Sequence, residues 1–420
     1  MALSALNTDR TRLLDTLFRD YRQSPFRVRT PSWEWQSEAH RPPAFTLCFR
    51  NQGALDALLY HPNERTLGEA FIHREIEIEG NLYAALRMAD YVFQRAAHLR
   101  PLKLVNNVDH VLTGAREALV HGLQHSRRRD AQAISYHYDK PPEFFLPWLG
   151  PTMVYSCAYF RDPHQSIDEA QTNKLELICR KLELQSGESF LDIGCGWGSL
   201  VMHAAARHGA HAEGITLSRE QAKFAQARIV QAALGSRCSV ALKDYRELPG
   251  EGKRYDKIAS VGMVEHVGLK NLDSYFRVAY DVLKPGGLFM NHGIGRSQYS
   301  PPSKDSFIFN YVFPDGELVP LHETITCAEA AGFEVRDVEN LREHYALTLR
   351  RWVEALRQSE KQLLEVVPEM TYRIWLLYMA GSAVAFDRGD IFVNQVLLRK
   401  VQRSAVAMPG TREHWFNGWS

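Results

Sequence analysis

The sequence predicts an α/β protein, a mostly parallel, doubly wound sheet preceded by a smaller α+β domain. Three observations carry this. Ser189-Phe-Leu-Asp-Ile-Gly-Cys-Gly-Trp-Gly198 reads as a buried strand, a tight turn and a helix start. Strand-like and helix-like segments then alternate, which implies parallel strands with a ligand at their carboxyl ends. The chain's 420 residues exceed one ordinary domain, so two units are expected.

Composition narrows the classes. Hydrophobic residues make up 45% and charged residues 24%, enough for a sizeable buried core. A net charge of +1 argues against a dedicated nucleic-acid binder. The six cysteines show no CxxC and no Cys/His ligand spacing, so a reducing compartment and no structural zinc are expected. The first residues are too charged for a signal peptide, and no apolar run reaches the length of a membrane span. A cytoplasmic protein is expected.

In chain order, residues 1–29 read as an amphipathic helix, with Leu3, Leu6, Leu13, Leu14 and Leu17 among Arg10, Arg12, Arg19 and Arg22. Such a helix packs on its own domain or, as a basic leucine-bearing surface, meets anionic lipid. Residues 30–100 mix strand-like runs (44–49, 71–78) with helices (53–60, 82–97). From 98 to 133 the chain turns basic, through His125-Ser-Arg-Arg-Arg129. That run reads as a solvated linker or as a phospholipid-facing patch. The boundary is placed near it, giving a smaller α+β domain with its basic linker at 1–130 and an α/β domain at 131–420.

After the glycine turn come a helix (200–207), a strand (211–217), a helix (218–234) and two strands (238–244, 255–264). A helix (271–283) and a strand (288–295) follow. Ser218-Arg-Glu-Gln221 reads as a capping box, and Lys284-Pro-Gly-Gly287 as a helix stop. Residues 296–322, rich in aromatics and prolines, interrupt the alternation and suit a lid or wall over a pocket.

The ligand follows from what the turn lacks. Gly194, Gly196 and Gly198 let bare backbone approach a ligand, and Asp192 can accept hydrogen bonds from an amine or hydroxyls. A dinucleotide site wants an acid at the tip of the next strand, but this one ends Gly214-Ile-Thr-Leu-Ser218 with Glu213 inside it. No P-loop lysine follows. S-adenosylmethionine, which has a ribose and an amino acid but no phosphate, fits better than NAD or flavin. A bare structural turn is the remaining alternative.

Several segments together resemble the cyclopropane fatty acid synthase family, which includes the mycolic acid cyclopropane synthases. They are Ser135-Tyr-His-Tyr-Asp139, Tyr155-Ser-Cys-Ala-Tyr-Phe160, the glycine turn, Gly214-Ile-Thr-Leu-Ser-Arg-Glu-Gln221, Gly262-Met-Val-Glu-His-Val-Gly268, Asn291-His-Gly-Ile294 and His344-Tyr-Ala-Leu-Thr-Leu-Arg-Arg-Trp352. The resemblance implies a Rossmann-like methyltransferase domain that moves a methyl group from S-adenosylmethionine onto a cis double bond of a phospholipid acyl chain. Proton loss then closes a cyclopropane ring. It also implies peripheral attachment to the inner face of the membrane and a homodimer.

Site residues carry over one by one. Tyr155 and Ser156 match the cofactor's amino-acid end, Gly194 and Gly196 its backbone cradle, and Thr216, Leu217 and Gln221 its ribose and adenine. Tyr245-Arg246 stands where the family usually has a Trp-Glu-like pair beside the adenine. The resemblance implies a bicarbonate ion as base, held by Cys157, Glu265, His292, Tyr345 and the backbone of Ile294. A small oxyacid suits the task, because a lysine or thiolate beside a carbocation would itself be alkylated. Two positions depart from the pattern. Ser382 replaces a late cysteine of some members, so no thiol nucleophile stands there, and residues 138–145 replace an Asp-Leu-Gly-Asn-like run. Three rivals share the scaffold: an acyl methyltransferase giving methylene- or methyl-branched chains, a small-molecule N-methyltransferase, and a lipid-binding protein that retains an inactive S-adenosylmethionine fold.

Overall fold

A computed structural model describes residues 2–60, 62–99, 140–297, 306–313, 316–402 and 408–418. The basic run at 125–129 and the motif at 135–139 lie outside the described residues, as does the expected boundary near 130. The chain forms two compact units. One comprises residues 1–115, 303–314 and 367–384, and the other residues 116–302, 315–366 and 385–420. The first unit therefore recruits two segments from far along the chain.

In the first unit, strands β1 (Phe26–Arg29), β2 (Glu34–Gln36), β3 (Phe45–Phe49) and β4 (Ile76–Gly80) form a sheet in the order β2-β1-β3-β4. Phe26 and Phe45 face each other across the parallel β1–β3 pair, their rings stacked 5.2 Å apart. The first helix is shorter than the sequence pattern implies. It ends at Leu17; Pro25 could not continue a helix, and Phe26-Arg-Val-Arg, which alternates buried with half-buried residues, forms a strand. Leu14 and Phe18 enter the unit's own core, and Arg10 pairs with Asp56 at 2.9 Å. The strand expected at 71–78 likewise gives way to helix Glu64–Ile72, a turn at Arg74 (φ +63°) and then β4.

Of the interrupting segment, residues 306–313 belong to the first unit. Helix Phe307–Tyr311 docks on helix Glu64–Ile72, with the Phe307 amide donating to Glu64 and the Tyr311 hydroxyl donating to Glu69 at 2.8 Å. Gly68 makes room for the Phe307 ring, since a Cβ there would lie 2.3 Å from it. The buried Arg373 guanidinium donates to the Phe71 carbonyl at 2.8 Å and pairs with Glu77 at 3.0 Å.

The second unit is built on β5 (Ser189–Ile193), β6 (His211–Thr216), β7 (Cys238–Leu242), β8 (Tyr255–Val261), β9 (Leu283–Arg296), β10 (Phe333–Asn340) and β11 (Ile391–Lys400). Their order is β10-β11-β9-β8-β5-β6-β7. The pairs from β9 through β7 are parallel, and β11 runs antiparallel to both β9 and β10. This is the mostly parallel α/β sheet the sequence predicts. The chain winds from β5 outward to β7 and returns to place β8 on β5's other side, so the strand order reverses between β5 and β8. Ligands bind at the carboxyl ends of such a switch point.

Two local expectations need correction. Helix Leu272–Val282 ends before Lys284-Pro-Gly-Gly287, which already belongs to the irregular start of β9, where Gly286 takes φ +80°. Ser218 caps helix Arg219–Gln231 by accepting from the Gln221 amide, but the Gln221 side chain turns to Thr216 rather than back to the cap. A full capping box forms instead at Ser166 and Glu169, opening helix Ile167–Lys181.

Candidate active site

The glycine turn follows β5, and its φ values of +82° at Gly194, +53° at Gly196 and +84° at Gly198 explain the glycines. Their roles differ. A Cβ at Gly196 would project into open space, 4.0 Å from Gln221 Nε2 at its nearest contact. A Cβ at Gly198 would meet Ala225 at 2.9 Å, so this glycine serves the packing of helix Arg219–Gln231.

A cavity opens over this turn at the carboxyl ends of β5, β6 and β8. Tyr155, Ser156, Asp192, Gly194, Gly196, Thr216, Leu217, Gln221, Tyr245 and Arg246 all line it; of the expected cofactor residues only Gly198 does not. The Thr216 hydroxyl donates to Gln221 Oε1 at 2.8 Å, which leaves the Gln221 amide nitrogen beside the turn. Arg246 is held by Asp244 at 2.6 Å and lies over the Tyr245 ring, 5.5 Å from its centroid. Glu213 pairs with Lys253 and accepts from the Tyr255 hydroxyl at 3.0 Å, so it is committed elsewhere and does not line the cavity.

Lys174 and Gln171 also belong to this site, and motif reading misses them. Both are buried on helix Ile167–Lys181. Gln171 Nε2 donates to the Ser156 carbonyl at 2.8 Å, and Lys174 Nζ donates to Ser156 Oγ at 2.9 Å. Together they hold the 154–156 loop at the cavity wall. Lys174, Leu175 and Met153 line the cavity as well. Polar residues three apart on the apolar stripe of a helix were the available signal.

Burial sets the electrostatics here. Asp192 is pushed up to about 7 by desolvation, which the Lys174 charge partly offsets. Lys174 is brought down to about 8 by its own burial, against the pull of Cys157 and Asp192. Asp192 Oδ1 has no hydrogen-bond partner among the described residues. A buried acceptor aimed at a glycine cradle is what a ligand with an amine or ribose hydroxyls would satisfy.

Glu265, His292, Ile294, Cys157 and Tyr345 stand apart from this cavity; none of them lines it. Glu265 and Ile294 touch directly; the others are linked to them through backbone and strand register. Glu265, in the turn after β8, accepts the Ile294 amide at 2.7 Å. His292 lies two residues earlier on β9, and its Nδ1 meets the Gln395 side chain of β11 at 3.2 Å. With Gln395 donating, the imidazole proton sits on Nε2. Cys157 Sγ and the Tyr345 amide both donate to the Leu341 carbonyl, and the Leu341 amide donates to Val393 of β11. Register places Val393 opposite Ile294.

This group is dry. Burial pushes Glu265 up to about 7, the Ile294 amide partly opposing it. His292 is pushed well down by burial and by the Lys174 and Lys181 charges, so it is neutral. Burial raises the Cys157 thiol, which stays protonated. Glu265 Oε2 and His292 Nε2 find no partner among the described residues. An acceptor and a donor left open in a buried polar group fit a small oxyacid, which offers a hydroxyl and oxygen acceptors.

A doubly wound sheet with a phosphate-free cradle at its switch point defines a class, that of methyltransferase-like α/β proteins. Comparison with known proteins narrows it. The family model for mycolic acid cyclopropane synthetase matches residues 125–396. A "Probable fatty acid methyltransferase" of Pseudomonas putida is 41% identical over 363 residues, 85% of this chain and 88% of that protein. The "Cyclopropane-fatty-acyl-phospholipid synthase" of Escherichia coli is 38% identical over 264 residues, 63% of this chain and 66% of that protein. A solved mycolic acid cyclopropane synthase, complexed with SAH and CTAB, superposes with a TM-score of 0.61 at 32% identity. It covers 64% of this chain and 98% of its own. The chain belongs to the mycolic acid cyclopropane synthetase family, a family of methyltransferases.

Proposed function

We propose that this chain transfers a methyl group from S-adenosylmethionine to a cis double bond of an unsaturated phospholipid acyl chain, and that proton removal then closes a cyclopropane ring. The observation that carries the reading is that two buried polar atoms outside the cofactor cavity, Glu265 Oε2 and His292 Nε2, have no partner among the described residues. Simple methylation of an amine requires no such group.

S-adenosylmethionine, when bound, supplies an electrophilic methyl; bicarbonate, when bound, supplies a small base that an alkylating centre does not consume. The protein's own residues do the rest. Tyr155, Ser156 and Asp192 hold the cofactor's amino-acid end, with Lys174 and Gln171 fixing the loop. Gly194 and Gly196 admit it, and Thr216, Leu217 and Gln221 take its ribose and adenine against Tyr245 and Arg246. Glu265 accepts a proton-bearing oxygen, while His292 and Tyr345 present donors. Cys157, held protonated, closes the group against water. Bilayer phospholipid as substrate, reversible attachment to the inner leaflet and a homodimer belong to the same reading. No helix among the described residues is long and apolar enough to cross a membrane.

A second reading keeps the cofactor and the alkene but ends in a methyl- or methylene-branched chain. The Pseudomonas putida relative favours it, because its name is that of a fatty acid methyltransferase and the match spans 85% of this chain. The readings part at the cation: proton loss from the transferred methyl with closure gives the ring, a 1,2-hydride shift before that loss gives a methylene branch, and a saturated methyl branch needs a hydride donor besides. Incubation with S-adenosylmethionine and unsaturated phospholipid liposomes, followed by proton NMR of the lipids, separates them. Upfield ring protons support cyclopropanation, vinylidene signals support the branched product, and unchanged lipid rejects both.

A further inference from the structure

A cluster of metal-class ligands lies on two packed helices outside the cavity. Helix Ile167–Lys181 contributes Glu176 and Cys179, three residues apart and hence on one face. Helix Ser199–His208 contributes His203 and His208, its last residue. Both imidazoles aim Nε2 at the same carboxylate oxygen, Glu176 Oε2, at 3.0 and 3.1 Å. Cys179 Sγ and one nitrogen of each histidine all lie within 4.8 Å of one another.

We propose that Cys179, His203 and His208 form a site for a thiophilic divalent cation of the zinc class, with Glu176 orienting both imidazoles. A hydrogen-bonded His-Glu-His cluster would need no thiol, yet a fully buried sulfur stands beside it. Sulfur with imidazole selects zinc over magnesium or calcium. Arg180 Nε donates to the other carboxylate oxygen, Glu176 Oε1, at 2.7 Å and so orients Oε2 toward the histidines.

Three protein ligands leave the fourth tetrahedral position to solvent, and the two helices hold them outside the cofactor cavity, so the site's part is structural. Binding takes the Cys179 proton to solvent and forms three bonds from protein to metal, with water as the fourth ligand. It ties the helix carrying Gln171 and Lys174 to the helix that starts directly after the glycine turn. The side chains are half-buried at the histidines, so an ion can enter from solvent.

The test is metal binding by the full chain, stripped with chelator and titrated with Zn²⁺ or Co²⁺. We expect one equivalent bound per chain, a raised melting temperature, and a cobalt spectrum of tetrahedral intensity with a thiolate charge-transfer band. The rim double variant His203→Gln/His208→Gln should lose at least ~10-fold in affinity, since even residues that only orient ligands cost 10–100-fold. Cys179→Ser should lose the charge-transfer band; should that buried variant fail to fold, the histidine variant still decides. Equal binding by wild type and the histidine variant, or a cobalt spectrum without the thiolate band, would overturn the site.

Discussion

The cofactor cavity and the Glu265 group are built on opposite principles. The cavity is open, lined by backbone and by side chains that come in short sequence runs, 155–156, 192–196, 216–221 and 245–246. The Glu265 group is closed and drawn from the turn after β8, from β9, from β11 and from the start of helix Arg342–Gln358. Water can replace a lost contact in the first but not in the second, where an abandoned polar atom bears its full desolvation cost. Damage to the cavity should therefore be graded, and damage to the dry group abrupt.

The sharpest break is Glu265→Gln. It should lower turnover on liposomes on the order of 10²-fold or more, as loss of a preorganised polar contact does. Calorimetry should show cofactor affinity nearly intact, and a wild-type rate would remove Glu265 from the reaction. Gly196→Val tests the other side. A left-handed φ costs a branched residue roughly 1–2 kcal/mol, and the new side chain enters the cradle, so cofactor affinity should fall by ~10-fold or more. Turnover at saturating cofactor should recover in large part.

Titration sharpens the contrast further. Asp192 must be ionised to accept from the cofactor, so affinity should decline as pH falls through about 7. Lys174→Met removes the charge that holds this carboxyl down; the decline should then begin at higher pH, with affinity a few-fold (~3-fold) weaker at neutrality. An unmoved profile would separate Lys174 from Asp192. The fold responds in the opposite sense. Asp192 and Glu265 both have raised values near 7, so the folded state binds more protons than the unfolded one between the ordinary carboxylate range and 7. Their contribution to stability is complete below that window and is lost as pH rises through it. The smallest effect belongs to Ser166→Ala, which removes the capping box of helix Ile167–Lys181. It should cost about 1 kcal/mol of stability by denaturant melts and leave cofactor affinity unchanged.

Much of the cavity was legible because its chemistry is local. A strand, three glycines with positive φ and a helix start sit within ten residues of sequence, and backbone sterics confine such a pattern to a tight turn. The doubly wound sheet was legible for the same reason, from alternating periods along the chain. Lys174 and Gln171 were not, since a polar residue on a buried helical stripe shows its purpose only when its partner, Ser156, is placed. What the aromatic segment packs against was not legible, because composition says that Phe307 and Tyr311 need burial, not against what. The proposed metal site was invisible for a related reason. Spacing rules look for ligands close in sequence, while Cys179 meets His203 and His208 only when two helices pack.

The sequence by itself determined the sheet, the cradle and the family. Each rests on short-range sterics, periodicity or contiguous motifs. Tertiary structure alone decided that Glu265 holds the Ile294 amide, that Lys174 tunes Asp192, and that two distant segments join the first unit. Those outcomes depend on register between strands and on desolvation. Neither exists until the chain has folded.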